Sequence, residues 1–172
     1  MALIHRRKII ADRWRLAPDD SAVPNSGAVI VSLARWRREA EMLRNRRAAI
    51  GVRLAAGDPV QALAADLQTL DLIAIEFDAF TEGRGYSQAR LLRERLGYGG
   101  ELRAVGDVSR DRIAFMERCG FDSFELRAGE NPHAIIEYFD QISVRLQPAV
   151  DRRPYAAYQR GWREHASHGR PA

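Results

Sequence analysis

Between Ala28 and Leu146 short apolar runs alternate with amphipathic stretches of helical period. "AVIVSL" (28–33), "IGVRL" (50–54), "LIAIEF" (72–77), "ELRAV" (101–105) and "SFEL" (123–126) read as strands. After the first, Leu33, Trp36, Ala40 and Leu43 recur at helical spacing, with most arginines elsewhere. After the second, Asp58 and Pro59 read as an N-cap followed by proline at the first helical position. Val60, Leu63, Leu67 and Leu70 then form one apolar face. Ala89, Leu92 and Leu96 predict a third helix that ends at Gly97, and Ile113 and Met116 a fourth that ends at Gly120. Asn131-Pro132 opens a fifth through Ile135, Phe139, Ile142 and Leu146.

Strands alternating with helices of this length predict an α/β fold. Repeated βα units form a mainly parallel five-stranded sheet with right-handed crossovers. Residues 1–27 read as an irregular N-terminal segment, in which "KIIADRWRLA" suggests a short strand pair. Residues 28–146 form the α/β domain, and residues 147–172, with Pro148, Pro154 and Pro171, a C-terminal tail. Four strands carry a charge near their centre: Arg53, Glu76, Arg103 and Glu125. Parallel strands buried on both faces are normally close to uniformly apolar. Opposite charges on successive strands favour a sequential, barrel-like order with an internal salt-bridged layer. A flavodoxin-like order with edge charges in solvent is the alternative.

Charge and composition narrow the function classes. The first 50 residues hold 11 basic and 5 acidic side chains, residues 51–150 hold 11 and 16, and the last 22 hold 5 and 2. Lys8 is the only lysine, so the arginine excess reflects base composition more than a nucleic-acid surface, and no nucleic-acid motif accompanies it. The single cysteine, Cys119, excludes an intrachain disulfide and fits a reducing cytoplasm. No run of apolar residues is long enough to span a bilayer, so no membrane association is expected. No Cys/His/acid spacing matches a metal site, and the set of ligands for haem or an iron–sulfur cluster is missing.

In parallel α/β folds ligands bind at the carboxyl ends of the strands. The longest and most polar loop there follows Phe77. Gly83, Arg84, Gly85 and Ser87, with Asp107 orienting Arg84, form a candidate site for a small anionic ligand. The spacing is neither a dinucleotide fingerprint nor a Walker motif. A plain glycine turn capped by Ser87, with Arg84 paired to Glu82 or Asp107, is the competing explanation. Glu76, Asp78 and Tyr86 are the candidates for acid–base chemistry.

The stretch "FTEGRGYSQARLLRERLGYGGELRAVGDV", followed by "RCGFDSFEL", resembles a bacterial domain-of-unknown-function family. Its members carry the label "probable oxidoreductase of sulfite reduction" and are usually encoded beside assimilatory sulfite reductase. Two departures stand out: Glu82 replaces the family's Asp before Gly-Arg-Gly-Tyr-Ser, and Ser109, Asp111 and Arg112 follow Gly106-Asp107-Val108. The resemblance implies an accessory protein of assimilatory sulfite reduction associated with an oxidoreductase, with sulfite reductase as partner. It brings no established catalytic residues. A lone cysteine cannot run a dithiol cycle, so redox chemistry would need bound flavin or NADPH, or a partner that holds the metal. The alternative is a non-catalytic interaction module. It would dock on sulfite reductase, or on a second copy as a homo-oligomer, through the basic N-terminal region and Tyr155, Tyr158 and Trp162.

Overall fold

The computed structural model describes residues 2–78, 83–140 and 149–150. Eight strands form one sheet: β1 (Leu3–His5), β2 (Lys8–Ile10), β3 (Trp14–Leu16), β4 (Ala28–Ser32), β5 (Ile50–Leu54), β6 (Leu72–Phe77), β7 (Glu101–Gly106) and β8 (Ser123–Glu125). Their order is β2-β1-β8-β7-β6-β5-β4-β3. From β3 to β8 every neighbouring pair is parallel, and β1 is antiparallel to both β8 and β2.

The five strands expected from periodicity are β4 to β8, and they lie in sequence order. The flavodoxin-like alternative is therefore excluded. The sheet is also not five-stranded and parallel but mixed and eight-stranded, because residues 1–27 supply three further strands. Each of these is only three residues long, too short to show a period.

β2 and β3 do not pair with each other as "KIIADRWRLA" suggested. They occupy opposite edges of the sheet. Only Ala11, Asp12 and Arg13 separate them, and four residue steps reach at most roughly 14 Å. A flat sheet of this size would place its edge strands ~34 Å apart, at ~4.8 Å per spacing. The sheet must therefore curl until its edges nearly meet. Residues 8–16 act as one extended run whose first half pairs with β1 and whose second half pairs with β4.

Register decides which side chains face inward. Ser32 pairs with Arg53, Arg53 with Ala74, Ala74 with Arg103, and Arg103 with Ser123. These residues form one belt on the concave wall. Trp14, Ile30, Leu72, Ala74 and Val105 pack together on the same wall. The alternate residues Val31, Val52, Ile73, Ile75, Leu102 and Phe124 face outward, into the main core with the helices.

Three of the four strand-centre charges, Arg53, Glu76 and Arg103, are met from inside the curl. Arg53 Nε donates to Glu76 Oε2 at 3.0 Å, and its Nη2 meets Glu76 Oε1. Arg103, 1% exposed, donates Nε and Nη2 to Glu101 Oε1 at 3.0 and 2.8 Å, and Nη1 to Asp12 Oδ2 at 2.8 Å. The small Ala74 side chain separates the two arginines in the belt.

Helix α1 (Leu33–Arg44) starts at Ser32, whose Oγ accepts from Arg35 N at 3.0 Å, and buries Leu33, Trp36 and Leu43 as the spacing predicted. Helix α2 (Arg84–Arg90) widens into a π turn over Leu91–Arg95, marked by a bond from Leu96 N to Leu91 O at 3.0 Å. Helix α3 (Arg110–Cys119) ends at Gly120, φ 109°. In α4 (Pro132–Tyr138) the Asn131 side chain accepts from His133 N at 3.0 Å. The continuation expected through Ile142 and Leu146 lies outside the described residues, as does residues 151–172 of the tail.

The segment after Asp58-Pro59 is not the α-helix that cap and spacing predicted. It is a 3-10 turn over Val60–Leu63, continued by i to i−3 bonds from Asp66 and Thr69. Asp58 turns back to Ala55 N instead of capping. Val60, Leu63, Leu67 and Leu70 are nevertheless buried, so the apolar spacing located the buried face while the cap signal misled.

Candidate functional site

The parallel direction of β3 to β8 gathers their carboxyl ends on one rim. On the β3–β6 side the rim opens into a cleft of about 320 Å³. Arg53 and Glu76, paired across neighbouring strands, line it together with Ser32, Asp19 and Asp58. Leu16, Pro18 and Leu33 supply apolar wall.

Each polar group in the cleft is fixed from behind. Ser32 Oγ donates to Asp19 Oδ1 and Oδ2 at 2.8 and 2.9 Å. The loop carrying Asp19 is pinned by Arg35, which is 4% exposed and donates to Pro18 O, to Ser21 O at 2.6 Å and to Glu39 Oε2 at 2.9 Å. Asp58 Oδ2 accepts from Ala55 N at 2.9 Å. Gln88 Nε2 reaches over from α2 to Ala55 O at 3.0 Å and Asp58 O at 2.8 Å. The start of α2 and the loop after β5 are thus held to each other.

The other half of the rim carries the glycine-rich motif. Gly83 is exposed with φ −84°, and a Cβ there would meet nothing within 4 Å. Gly85 is buried, and a Cβ would stand 2.7 Å from the Phe77 ring. The second glycine of the motif therefore lets α2 sit directly on the end of β6. Arg84 is exposed at the first position of α2, and Ser87 is exposed within the helix, whose N-cap is Gly83. Ser87 is thus not the cap that the turn explanation required.

Tyr86 is half-buried. Its ring lies 5.1 Å from Phe77 and 5.0 Å from Phe115 on α3. Burial pushes its phenol up, with Arg112 pulling the other way. Asp107 follows β7 directly and its N–H donates to Phe77 O at 2.7 Å. This close approach needs Gly106, φ 85°, since a Cβ there would lie 2.5 Å from Phe77 O. The Asp107 carboxylate pairs with Arg112 at 2.7 Å and with Arg127. Arg112 also donates to Ser109 Oγ at 2.9 Å.

The sequence candidates therefore fall into two groups. Tyr86, Asp107 and the unforeseen Arg127 gather beside Arg112, and Gly83, Arg84, Gly85 and Ser87 begin the helix that carries Tyr86. Glu76 lies in the cleft with Arg53, and Asp78 is exposed just after β6. Glu82 lies outside the described residues. Sequence reasoning missed Asp19, Ser32 and Asp58 as cleft walls. Arg53 was marked by its charge in an apolar strand, but Asp19 sat in a segment without any pattern. Among the described residues no group of three or more His, Cys, Asp or Glu could hold a metal ion, and no helix is long and apolar enough to cross a membrane.

Over residues 51–156 the chain matches the model of a family described as bacterial protein of unknown function, DUF934. The chain belongs to this family. The DUF934 match takes in β5 to β8, the glycine motif and the Asp107 cluster, whereas Asp19 and Ser32 lie outside it. A comparison with proteins of curated function finds no significant match.

Proposed function

We propose that this DUF934 protein is an accessory protein of assimilatory sulfite reduction that takes a small anionic ligand on the Arg84 side of the rim. The observation that carries the reading is the pairing of two arginines, Arg112 and Arg127, with one carboxylate, Asp107, just beyond β7, while Arg84 opens α2 on the neighbouring β6 side. Asp107 sets one negative charge against the two guanidiniums that pair with it. Arginine suits sulfur oxyanions because its planar fork donates two parallel hydrogen bonds. Tyr86, braced by Phe77 and Phe115, adds a phenol with a fixed position. The resemblance carried by Gly83-Arg84-Gly85-Tyr86-Ser87 supports the sulfite context.

Calorimetric titration with sulfite, sulfate, FMN and NADPH tests the reading. Binding of sulfite or sulfate, weakened at least about tenfold by Arg84→Ala and by Arg127→Ala, is expected, since a hydrogen bond to a charged group contributes ~1.5–3 kcal/mol. No heat with any of the four ligands would remove the proposal. A flavin band in the absorbance of freshly purified protein would make the oxidoreductase role concrete.

A further inference from the structure

The cleft on the β3–β6 side has a different chemistry. Three carboxylates (Asp19, Asp58, Glu76) against one guanidinium (Arg53) leave its lining with a surplus of negative charge. A bare oxyanion is therefore poorly matched to it. The polar groups nonetheless retain capacity. Arg53 spends Nε and Nη2 on Glu76, and its Nη1 bonds to no described residue. Asp58 spends Oδ2 on Ala55 N and keeps Oδ1. Facing these are Leu16, which is 54% exposed, and the aliphatic surface of Pro18 and Leu33.

We propose that this cleft binds a small aliphatic zwitterion of the α-amino-acid class. Its carboxylate takes Arg53 Nη1, its ammonium takes Asp58 with Asp19 behind it, and its side chain lies on Leu16 and Leu33. The charge pattern asks for both ends at once. An amine alone leaves the unspent edge of Arg53 without an acceptor, and an acid alone meets the surplus of carboxylates. The groups are also preorganised, which lowers the cost of binding: Glu76 holds the guanidinium in one plane, and Gln88 ties down the loop of Asp58. A volume of about 320 Å³ is at the small end of ligand sites and admits an amino acid but no dinucleotide.

The test is calorimetric titration of the full chain with L-leucine, with isoamylamine (the same molecule without its carboxylate) and with isocaproate (the same molecule without its ammonium). Leucine should bind, and each analogue should bind at least about tenfold more weakly, as loss of one charged hydrogen bond implies. Arg53→Gln and Asp58→Asn should each weaken leucine to a similar degree. Asp58→Asn keeps an acceptor for Ala55 N, so it reports on charge even if Arg53→Gln, by stranding Glu76, impairs folding. Arg84→Ala should leave leucine binding unchanged, which separates this site from the one proposed above. Absence of leucine binding, equal binding of isoamylamine, or indifference to Asp58→Asn would overturn the proposal.

Discussion

Asp12 accepts from Arg103 Nη1 at 2.8 Å, joining the link between the two edge strands to the centre of β7, 91 residues further along the chain. Arg103 is 1% exposed, so its charge must be answered within the protein, and Asp12 supplies half of the answer with Glu101. Asp12→Ala should destabilise the fold by about 3 kcal/mol, the scale of a buried pair broken on one side. Arg103→Met should cost at least as much, because it leaves the Glu101 carboxylate, whose side chain is 15% exposed, and Asp12 without their partner. Urea unfolding of the two variants, compared at equal m, checks the order.

The two glycines of the motif should respond in opposite ways. Gly83→Ala has open space and an ordinary φ, and should be within about 0.5 kcal/mol of wild type. Gly85→Ala drives a methyl group into the Phe77 ring and should cost about 1–3 kcal/mol. Thermal unfolding of both variants distinguishes a packing glycine from a flexible one.

Cys119 is buried and its thiol is pushed up to about 11 by desolvation. At pH 8 only about one thiol in a thousand is ionised, and the thiolate is the reacting form. Ellman's reagent should therefore label the native protein slowly and the urea-unfolded protein at once. Rapid native labelling would show that the α3 terminus opens.

Asp122 accepts from Leu102 N at 2.9 Å and from Arg93 at 2.9 Å, yet burial outweighs both and its carboxyl is pushed above 3.8. The folded state therefore holds this proton more tightly than the unfolded chain does. Its contribution is most favourable below 3.8 and is lost as pH rises through the folded value. Measured by denaturant unfolding, wild type should lose stability relative to Asp122→Asn as pH is raised through that window. The opposite slope would mean that the Arg93 pairing dominates.

The parts legible in the sequence were those with a long repeat. Strands β4 to β8, α1, the end of α3 and the start of α4 follow from period and capping. Opposite charges on successive strands favoured the sequential order, and Arg53 and Glu76 do pair across neighbouring strands, whereas Arg103 is answered by Glu101 of its own strand and by Asp12. The additional counter-ion for Arg103 was not legible, because Asp12 sits between two three-residue strands. Likewise Arg35 looks like one of several arginines on an exposed face, and only the folded loop at Pro18 and Ser21 reveals why it is buried. The glycine motif was legible as a special place. Its two glycines looked equivalent, and the ring of Phe77 is what separates them.

The run from Lys8 to Leu16 has a consequence for synthesis on the ribosome. The βα units can stack in the order in which they emerge, each on the one before. β1, made before every other strand of the sheet, has its place beside β8, and that neighbour does not exist until Ser123–Glu125 has been translated. The nascent chain must therefore keep β1 without its β8 neighbour until nearly all of the sheet is built, and the β1–β8 pairing is a late, long-range event.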